Sequence, residues 1–143
     1  MTEKQGRVLA IDYGERRLGL AISDREQTMA LPLKTIDTRR EDLLKEIRAV
    51  IQLYDVQTLV VGDPLRSDGS VGPSSERVRQ FAQTLQEHFG LPVILVDERL
   101  TSQEAIHRLV EAGGTRKEKG RVDAVAAMLI LESYLQQRRQ DEA

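Results

Sequence analysis

Two short apolar runs joined by a polar turn constrain the fold of this chain more than any other feature. The runs occupy residues 8–11 and 18–22, and the turn between them contains Gly14. Short aliphatic and β-branched runs around such a turn are typical of a β-hairpin. Asp12 follows the first run, so its carboxylate leaves a buried strand in a fixed direction. Asp12 either caps the turn or begins a set of metal-binding carboxylates.

The composition is that of an ordinary globular protein. The 143 residues are 40% hydrophobic and 31% charged, with a net charge of −2, and this length favours one domain over residues 1–143. The absence of cysteine excludes a thiol nucleophile, a disulfide and a cysteine-bound zinc. The sequence has neither the apolar region of a signal peptide nor a run long enough to span a membrane. We therefore expect a small cytoplasmic protein with no membrane partner.

Apolar patterns further along the chain predict three more strands and four helices. The strands are predicted at 29–36, 58–62 and 92–96, and Pro32 indicates an edge strand or a bulge. Capping-box patterns at Thr38 and Thr101 each open a helix, and two further helices are predicted at 74–89 and 122–137. Residues 115–121 are predicted to form a charged loop, and 138–143 a frayed tail.

This order of elements predicts an α/β fold with a five-stranded mixed sheet and helices on both faces. Ligand sites in open α/β sheets lie beyond the carboxyl ends of the strands. Asp12, the loop that begins at Gly62 and Glu98 each come at or just after the end of a predicted strand. We therefore expect these positions to meet at one edge of the sheet.

Two further acidic points accompany Asp12. Asp97 and Glu98 are adjacent, so only one of them can face the same side as Asp12, and both have a plain alternative as solvated loop acids. Asp123 lies in the predicted first turn of the last helix, where the helix dipole alone would stabilise it. Taken together, carboxylates converging on one edge without cysteine indicate an oxygen-ligand site for Mg²⁺ or Mn²⁺. A two-metal site of this kind activates water for phosphodiester cleavage.

Basic residues accompany each acidic point. Each could be solvated surface charge, but as a set they could bind a polyanionic backbone; they are Arg16, Arg17, Arg66, Arg99, Arg116, Lys117, Lys119 and Arg121. The glycine-rich loop at 68–72 either presents backbone N–H groups to phosphate or is a plain flexible loop.

Four segments resemble the YqgF (RuvX) family of bacterial proteins, described as Holliday-junction resolvases and as pre-16S ribosomal RNA nucleases. They are AIDYGERRLGLAISD at 10–24, VVGDPLRSDGSVGP at 60–73, VDERLTSQEA at 96–105 and KGRVDAVAAMLILESYL at 119–135. They occur in the expected order and span nearly the whole chain. One departure is Asp63, where the family usually has an apolar residue, and an acid there would either weaken phosphate binding or face solvent.

The resemblance implies a ribonuclease H-like fold and metal-dependent phosphodiester cleavage, with Asp12, Glu98 and Asp123 as catalytic residues and ligands of Mg²⁺ or Mn²⁺. Structured nucleic acid would be the substrate, above all the precursor of 16S rRNA, with ribosomal precursor particles as a further partner. Arg16, Arg17, Arg99 and Lys119 are candidate substrate contacts. The chain would act as a monomer or a homodimer.

Three alternatives remain open from the sequence. The first is a Holliday junction resolvase acting on four-way DNA, for which a symmetric dimer is expected. The second is an actin-like ATPase or sugar kinase, because Asp12, Gly14 and Gly19 also resemble the phosphate hairpin of those proteins. The third is a non-catalytic RNA-binding ribosome-assembly factor that keeps the acids for structural reasons.

Overall fold

The computed structural model describes residues 6–100 and 116–142. Its elements, in chain order, are β1 (Arg7–Asp12), β2 (Arg17–Ser23), β3 (Ala30–Asp37), α1 (Leu43–Tyr54), β4 (Val56–Asp63), α2 (Pro73–Phe89), β5 (Val93–Asp97), a short 3-10 helix (Glu98–Leu100) and α3 (Arg116–Glu142). The predicted helix that Thr101 opens lies outside the described residues. Within the described part of the chain, no helix is both long enough and apolar enough to cross a membrane.

The strands form one five-stranded sheet in the order β3-β2-β1-β4-β5. β1 and β2 form the predicted hairpin, and β3 extends it antiparallel to β2. β4 and β5 join in parallel on the other side of β1. The mixed sheet is therefore confirmed. Pro32 lies in edge strand β3, beside a register shift between Leu20 and Ala21 of β2, as its sequence position indicated.

The sheet separates two apolar cores because successive strand residues face opposite sides. Leu9 and Ile11 of β1 pack with α1 and α2 on one face. Val8 and Ala10 pack with α3 on the other. Tyr13 stacks on Phe81 of α2, with ring centroids 4.4 Å apart. The alternation therefore places Asp12, between Ile11 and Tyr13, on the face that α3 covers.

The start of α1 differs from the prediction. The N-cap is Asp42, whose carboxylate accepts a hydrogen bond from the backbone N–H of Lys45. Thr38 instead donates its hydroxyl to the carbonyl oxygens of Glu15 and Arg16. The capping box predicted at Thr38 is wrong because a tertiary contact, invisible in the local sequence, takes its hydroxyl.

The last helix is longer than the sequence predicted at both ends. It begins at Arg116 and continues to Glu142, so the predicted loop is helical from residue 116 onward. The segment was predicted as a loop from its run of charges, and its one glycine, Gly120, costs a helix only about 1 kcal/mol relative to alanine. Asp123 consequently lies about two turns into the helix. The helix-dipole explanation for this acid, which needs a first-turn position, is therefore wrong.

Candidate active site

Asp12 lies between two clefts at the carboxyl edge of the sheet. One cleft, of about 300 Å³, is lined by Asp12 and Glu98 together with Arg77 from the first turns of α2; we call it the Glu98 cleft. The other, of about 460 Å³, is lined by Asp12 and Asp123 together with Arg16 and Arg17; we call it the Asp123 cleft. The structure thus brings each distant acid into a cleft shared with Asp12.

Two glycines make room for this convergence. Gly19 is paired with Asp12 across β1 and β2, and a Cβ at Gly19 would overlap the backbone carbonyl of Asp123. Gly62 lies on β4, where a Cβ would overlap the carboxylate of Glu98 and come within 2.6 Å of Ile130 Cδ1. Both acids therefore reach the site over sheet positions that lack a side chain.

Arg17 binds Asp123 directly. Its Nε donates to Asp123 Oδ2 at 2.5 Å, and the two side chains are 30% and 6% exposed. The ion pair joins the first residue of β2 to α3 and supplies positive charge to a nearly buried carboxylate. Arg17, a predicted substrate contact, is therefore also part of the framework of the site.

Arg99, another predicted substrate contact, holds the loop between β4 and α2. Its guanidinium donates to both carboxylate oxygens of Asp97, the shortest bond being 2.7 Å, and to the carbonyl oxygen of Ser67. The hydrogen bonds from Arg99 lower the pKa of Asp97. The same pairing raises the pKa of Arg99 above its usual value. We call this Asp97–Arg99 ion pair the clasp. Asp97 thus binds Arg99, whereas Glu98 faces the Glu98 cleft.

The loop that Arg99 clasps bonds to itself. The backbone N–H of Gly69 donates to the carbonyl of Arg66, and that of Arg66 donates to the carbonyl of Ser70. Ser70 donates both its backbone N–H and its hydroxyl to Asp68, which lowers the pKa of Asp68. Within 68–72, the N–H groups of Gly69 and Ser70 therefore already have acceptors in the loop itself.

Asp63 is neither solvent-facing nor part of the clefts. It is 2% exposed, its Oδ1 accepts from Ser75 Oγ at 2.5 Å, and its Oδ2 accepts from Arg79 at 2.8 Å. Arg79 also donates to Ser75 Oγ. The solvent-facing interpretation of Asp63 is therefore wrong, since the acid ties the end of β4 to the first turns of α2; the alternative, that it weakens phosphate binding, stays a prediction.

The remaining basic positions lie on three different elements near the acids. Arg16 is exposed on the hairpin turn and lines this cleft. Lys119 lies in the first turns of α3. Arg77, which the sequence did not single out, lies 3.6 Å from Glu15 across the Glu98 cleft. The hairpin turn and the first turns of α2 therefore each contribute an arginine to one of the clefts.

The donor set fits a hard divalent cation in its chemistry. Asp12, Glu98 and Asp123 offer only carboxylate oxygens, which suit Mg²⁺ or Mn²⁺. Glu98 occupies the space above Gly62 that a Cβ would fill. Among the described residues, however, no three His, Cys, Asp or Glu side chains are close enough to hold an ion together. Glu98 and Asp123 each share a cleft with Asp12, but the three carboxylates do not form one cluster.

Sequence reasoning missed the role of the two glycines. Gly19 entered only as part of a phosphate-hairpin pattern and Gly62 only as the end of a strand, although a glycine inside a strand can mark close approach by another part of the chain. Their position on the same face as Asp12 was the available signal. What approaches them, Asp123 and Glu98, could not be identified without the fold.

Comparison with solved structures identifies the fold as ribonuclease H-like. The yeast mitochondrial Holliday junction resolvase Ydc2 superposes with a TM-score of 0.56 at 14% identity, over 95% of this chain and 80% of that one. Thermus thermophilus RuvC, in complex with a Holliday junction substrate, gives 0.53 at 16% identity, over 92% and 96%. At these identities the likeness concerns the fold alone.

Sequence comparison identifies the family. A family model described as "RuvX: Holliday junction resolvase" matches residues 6–137. A protein of Geobacillus kaustophilus, named "Putative pre-16S rRNA nuclease", is 44% identical over 93% of this chain and 99% of its own length. A Roseiflexus protein of the same name is 40% identical over 97% and 100%. The chain belongs to the RuvX family, as its four sequence segments indicated.

Proposed function

We propose that this protein is a divalent-metal-dependent nuclease that cleaves phosphodiester bonds in structured nucleic acid, with pre-16S rRNA as its substrate. The family and the names of its relatives support a nuclease. The names of the Geobacillus and Roseiflexus proteins support the ribosomal substrate. The protein would encounter such a substrate within pre-ribosomal particles.

The observation that carries this proposal is the position of Asp12 between two clefts. Glu98 lines one cleft and Asp123 the other, so one carboxylate is shared by two places where a phosphate oxygen could lie. Arginines flank both clefts, with Arg77 on one and Arg16 and Arg17 on the other. Paired acids with flanking guanidinium groups suit the charges of phosphodiester hydrolysis.

Each residue then has a distinct task. Asp12, Glu98 and Asp123 would hold Mg²⁺ or Mn²⁺, which when bound would supply activation of the attacking water and neutralise charge on the leaving oxygen. Arg16 would contact the substrate backbone. Arg17 orients Asp123 through its ion pair. Arg99 and Lys119 stay candidate contacts to the substrate backbone, and Arg99 also holds the loop at 65–72 through the carbonyl oxygen of Ser67.

Cleavage of a pre-16S rRNA fragment with Mn²⁺ tests the proposal when wild type is compared with Asp12→Asn. We expect the variant to lose cleavage by at least two orders of magnitude and to keep its thermal midpoint. Asp141→Asn is the matched control, because it removes one exposed carboxylate near the end of α3 and should cleave normally. Wild-type rates in Asp12→Asn would overturn the assignment.

Four-way DNA is the second candidate substrate, favoured by the description of the family model. The same proteins should be assayed on a junction and on an RNA fragment of matched length. Symmetric paired cuts in the junction, with little RNA cleavage, would favour the resolvase. A resolvase would also sediment as a homodimer, whereas RNA processing requires only a monomer.

A further inference from the structure

Two turns from different parts of the chain are joined beside the Asp123 cleft. The backbone N–H of Thr38 donates to the carbonyl of Arg16 at 2.9 Å, and its hydroxyl donates to Glu15 and Arg16. β2 and β3 also pair Arg17 with Asp37. The turn that follows β3 is therefore fixed against the turn of the hairpin.

The second turn is itself rigidly bonded. Asp37 Oδ1 accepts the backbone N–H of Arg39, and the Asp37 carbonyl accepts those of Arg40 and Glu41. Glu41 returns a carboxylate oxygen to the backbone N–H of Asp37. This bonding fixes the direction in which the chain carries Arg39 and Arg40. Both arginines are exposed.

The joined turns enclose a hollow of about 240 Å³, lined by Arg16, Arg17, Asp37, Arg39 and Arg40; we call it the arginine hollow. Arg17 is paired with Asp123 at 2.5 Å, and Arg40 Nε lies 3.8 Å from Asp37. Four guanidinium groups therefore share the lining with one carboxylate, and even with Arg17 counted against Asp123 the positive charge is in excess by two. The hollow is therefore an electropositive pocket at the rim of the acidic site.

We propose that the arginine hollow binds a backbone phosphate of the nucleic acid at a position outside the cleavage site, with Arg39 and Arg40 as binding residues. Arg16 and Arg17 line both this hollow and the Asp123 cleft, so a strand leaving the cleft past the hairpin turn would meet the hollow next. Guanidinium groups bind phosphate through paired N–H donors and positive charge. Phosphate contacts of this kind set the register of the strand without reading its sequence.

This inference deepens the proposed function and rests on it. The test measures equilibrium binding in the Asp12→Asn background, so that the substrate stays intact, with a pre-16S rRNA fragment and a four-way DNA junction as separate probes. Arg39→Ala/Arg40→Ala is compared with Arg25→Ala/Arg139→Ala over a series of salt concentrations. The control removes the same charge from exposed residues. Arg25 follows the other end of β2, and Arg139 lies in the last turn of α3.

The logarithm of the binding constant falls linearly with the logarithm of the salt concentration. Each lost phosphate contact should make this slope shallower by about 0.7 for single strands and 0.9 for duplex. We expect the hollow variant to lose about one such contact and roughly tenfold in affinity, and the control to keep its slope. Arg39→Lys/Arg40→Lys should keep the slope because it keeps the charge. Loss on one probe alone would show which nucleic acid the hollow serves.

Equal slopes in the hollow variant and the control would overturn the inference, as would failure of the parent protein to bind either probe. Circular dichroism melting of every variant shows whether it is folded, and both arginines are exposed enough that we expect unchanged midpoints. The proposed function fails separately, if wild type does not cleave or if Asp12→Asn still does. An unchanged slope with normal wild-type cleavage would reject the hollow alone.

Discussion

Arg17 Nε lies 2.5 Å from Asp123 Oδ2, across a separation of 106 residues in the chain. The contact joins the hairpin that carries Asp12 to the helix that carries Asp123. Asp123 is nearly buried, with 6% of its side chain exposed. The guanidinium therefore both offsets the cost of burying a carboxylate and fixes the two acids relative to each other.

Arg17→Ala should destabilise the protein by about 1–3 kcal/mol, because it takes a charged partner from a nearly buried carboxylate. Urea unfolding would measure the loss. In this variant the Asp123 carboxylate no longer has Arg17 as its partner. If Asp123 also binds a divalent cation, Mg²⁺ bound to the folded state should therefore raise the unfolding midpoint more in Arg17→Ala than in wild type. Equal Mg²⁺ effects in Arg17→Ala and in Arg17→Ala/Asp123→Asn would contradict a metal role for Asp123.

Gly62→Ala should impair activity more than stability. Its Cβ would meet the carboxylate of Glu98 and the terminal methyl of Ile130, which are mobile ends of side chains. Glu98 must therefore shift, and a displacement of about 1 Å at a reacting group costs up to about 100-fold in rate. Cleavage kinetics and a thermal melt on the same sample would separate the two effects.

Gly19→Ala provides the contrast. Its Cβ would overlap the backbone carbonyl of Asp123 and lie 2.9 Å from the backbone N of Ala124, so α3 itself would have to move. We expect a loss of about 3 kcal/mol or more, at the upper end of the cost of overpacking. A melt unchanged in Gly19→Ala would contradict the close crossing of α3 over β2.

Asp63→Ala should cost about 2–3 kcal/mol. It leaves Ser75, which is fully buried, and Arg79 without their acceptor, and a broken buried ion pair typically costs 3–5 kcal/mol. The lower figure allows for Arg79, which is 46% exposed. A double-mutant cycle with Arg79→Ala should show coupling, and strictly additive losses would argue against the network.

The Asp97–Arg99 clasp predicts a dependence of stability on pH. The pKa of Asp97 is lowered in the folded protein, so the clasp stabilises fully above the unfolded value of about 3.9. That stability is lost as pH falls through the lower folded pKa. Because Arg99 is 40% exposed, solvent screening should keep the effect small. The difference in urea midpoint between wild type and Asp97→Asn should shrink from pH 6 to pH 2.5, and a constant difference would refute it.

The strands were predictable because each is a run of apolar residues bounded by polar turns, and a buried sheet requires that pattern. The edge position of Pro32 followed from its missing N–H. The strands and the place of Pro32 depend on the local sequence alone. The alternation of strand residues left open whether Asp97 or Glu98 faces the side of Asp12, and only the family resemblance indicated Glu98.

The remaining features depend on contacts between distant residues. Thr38 matches a capping box, yet its hydroxyl is taken by the hairpin turn. Asp63 looked like an exposed loop acid because Ser75 and Arg79, its partners, follow 12 and 16 residues later. Arg99 stays a predicted substrate contact, but nothing in the sequence indicated its bond to the carbonyl oxygen of Ser67. Local patterns do not encode such pairings.

The close passage of α3 over Gly19 has a consequence for the timing of assembly. The hairpin with Asp12 can form from neighbouring residues, whereas Asp123 reaches it only after the sheet has been built and the final helix has docked. Contacts so distant in sequence form slowly, because the entropy of closing the intervening chain must be overcome first. An activity that needs both carboxylates is therefore withheld from nascent and partly folded chains.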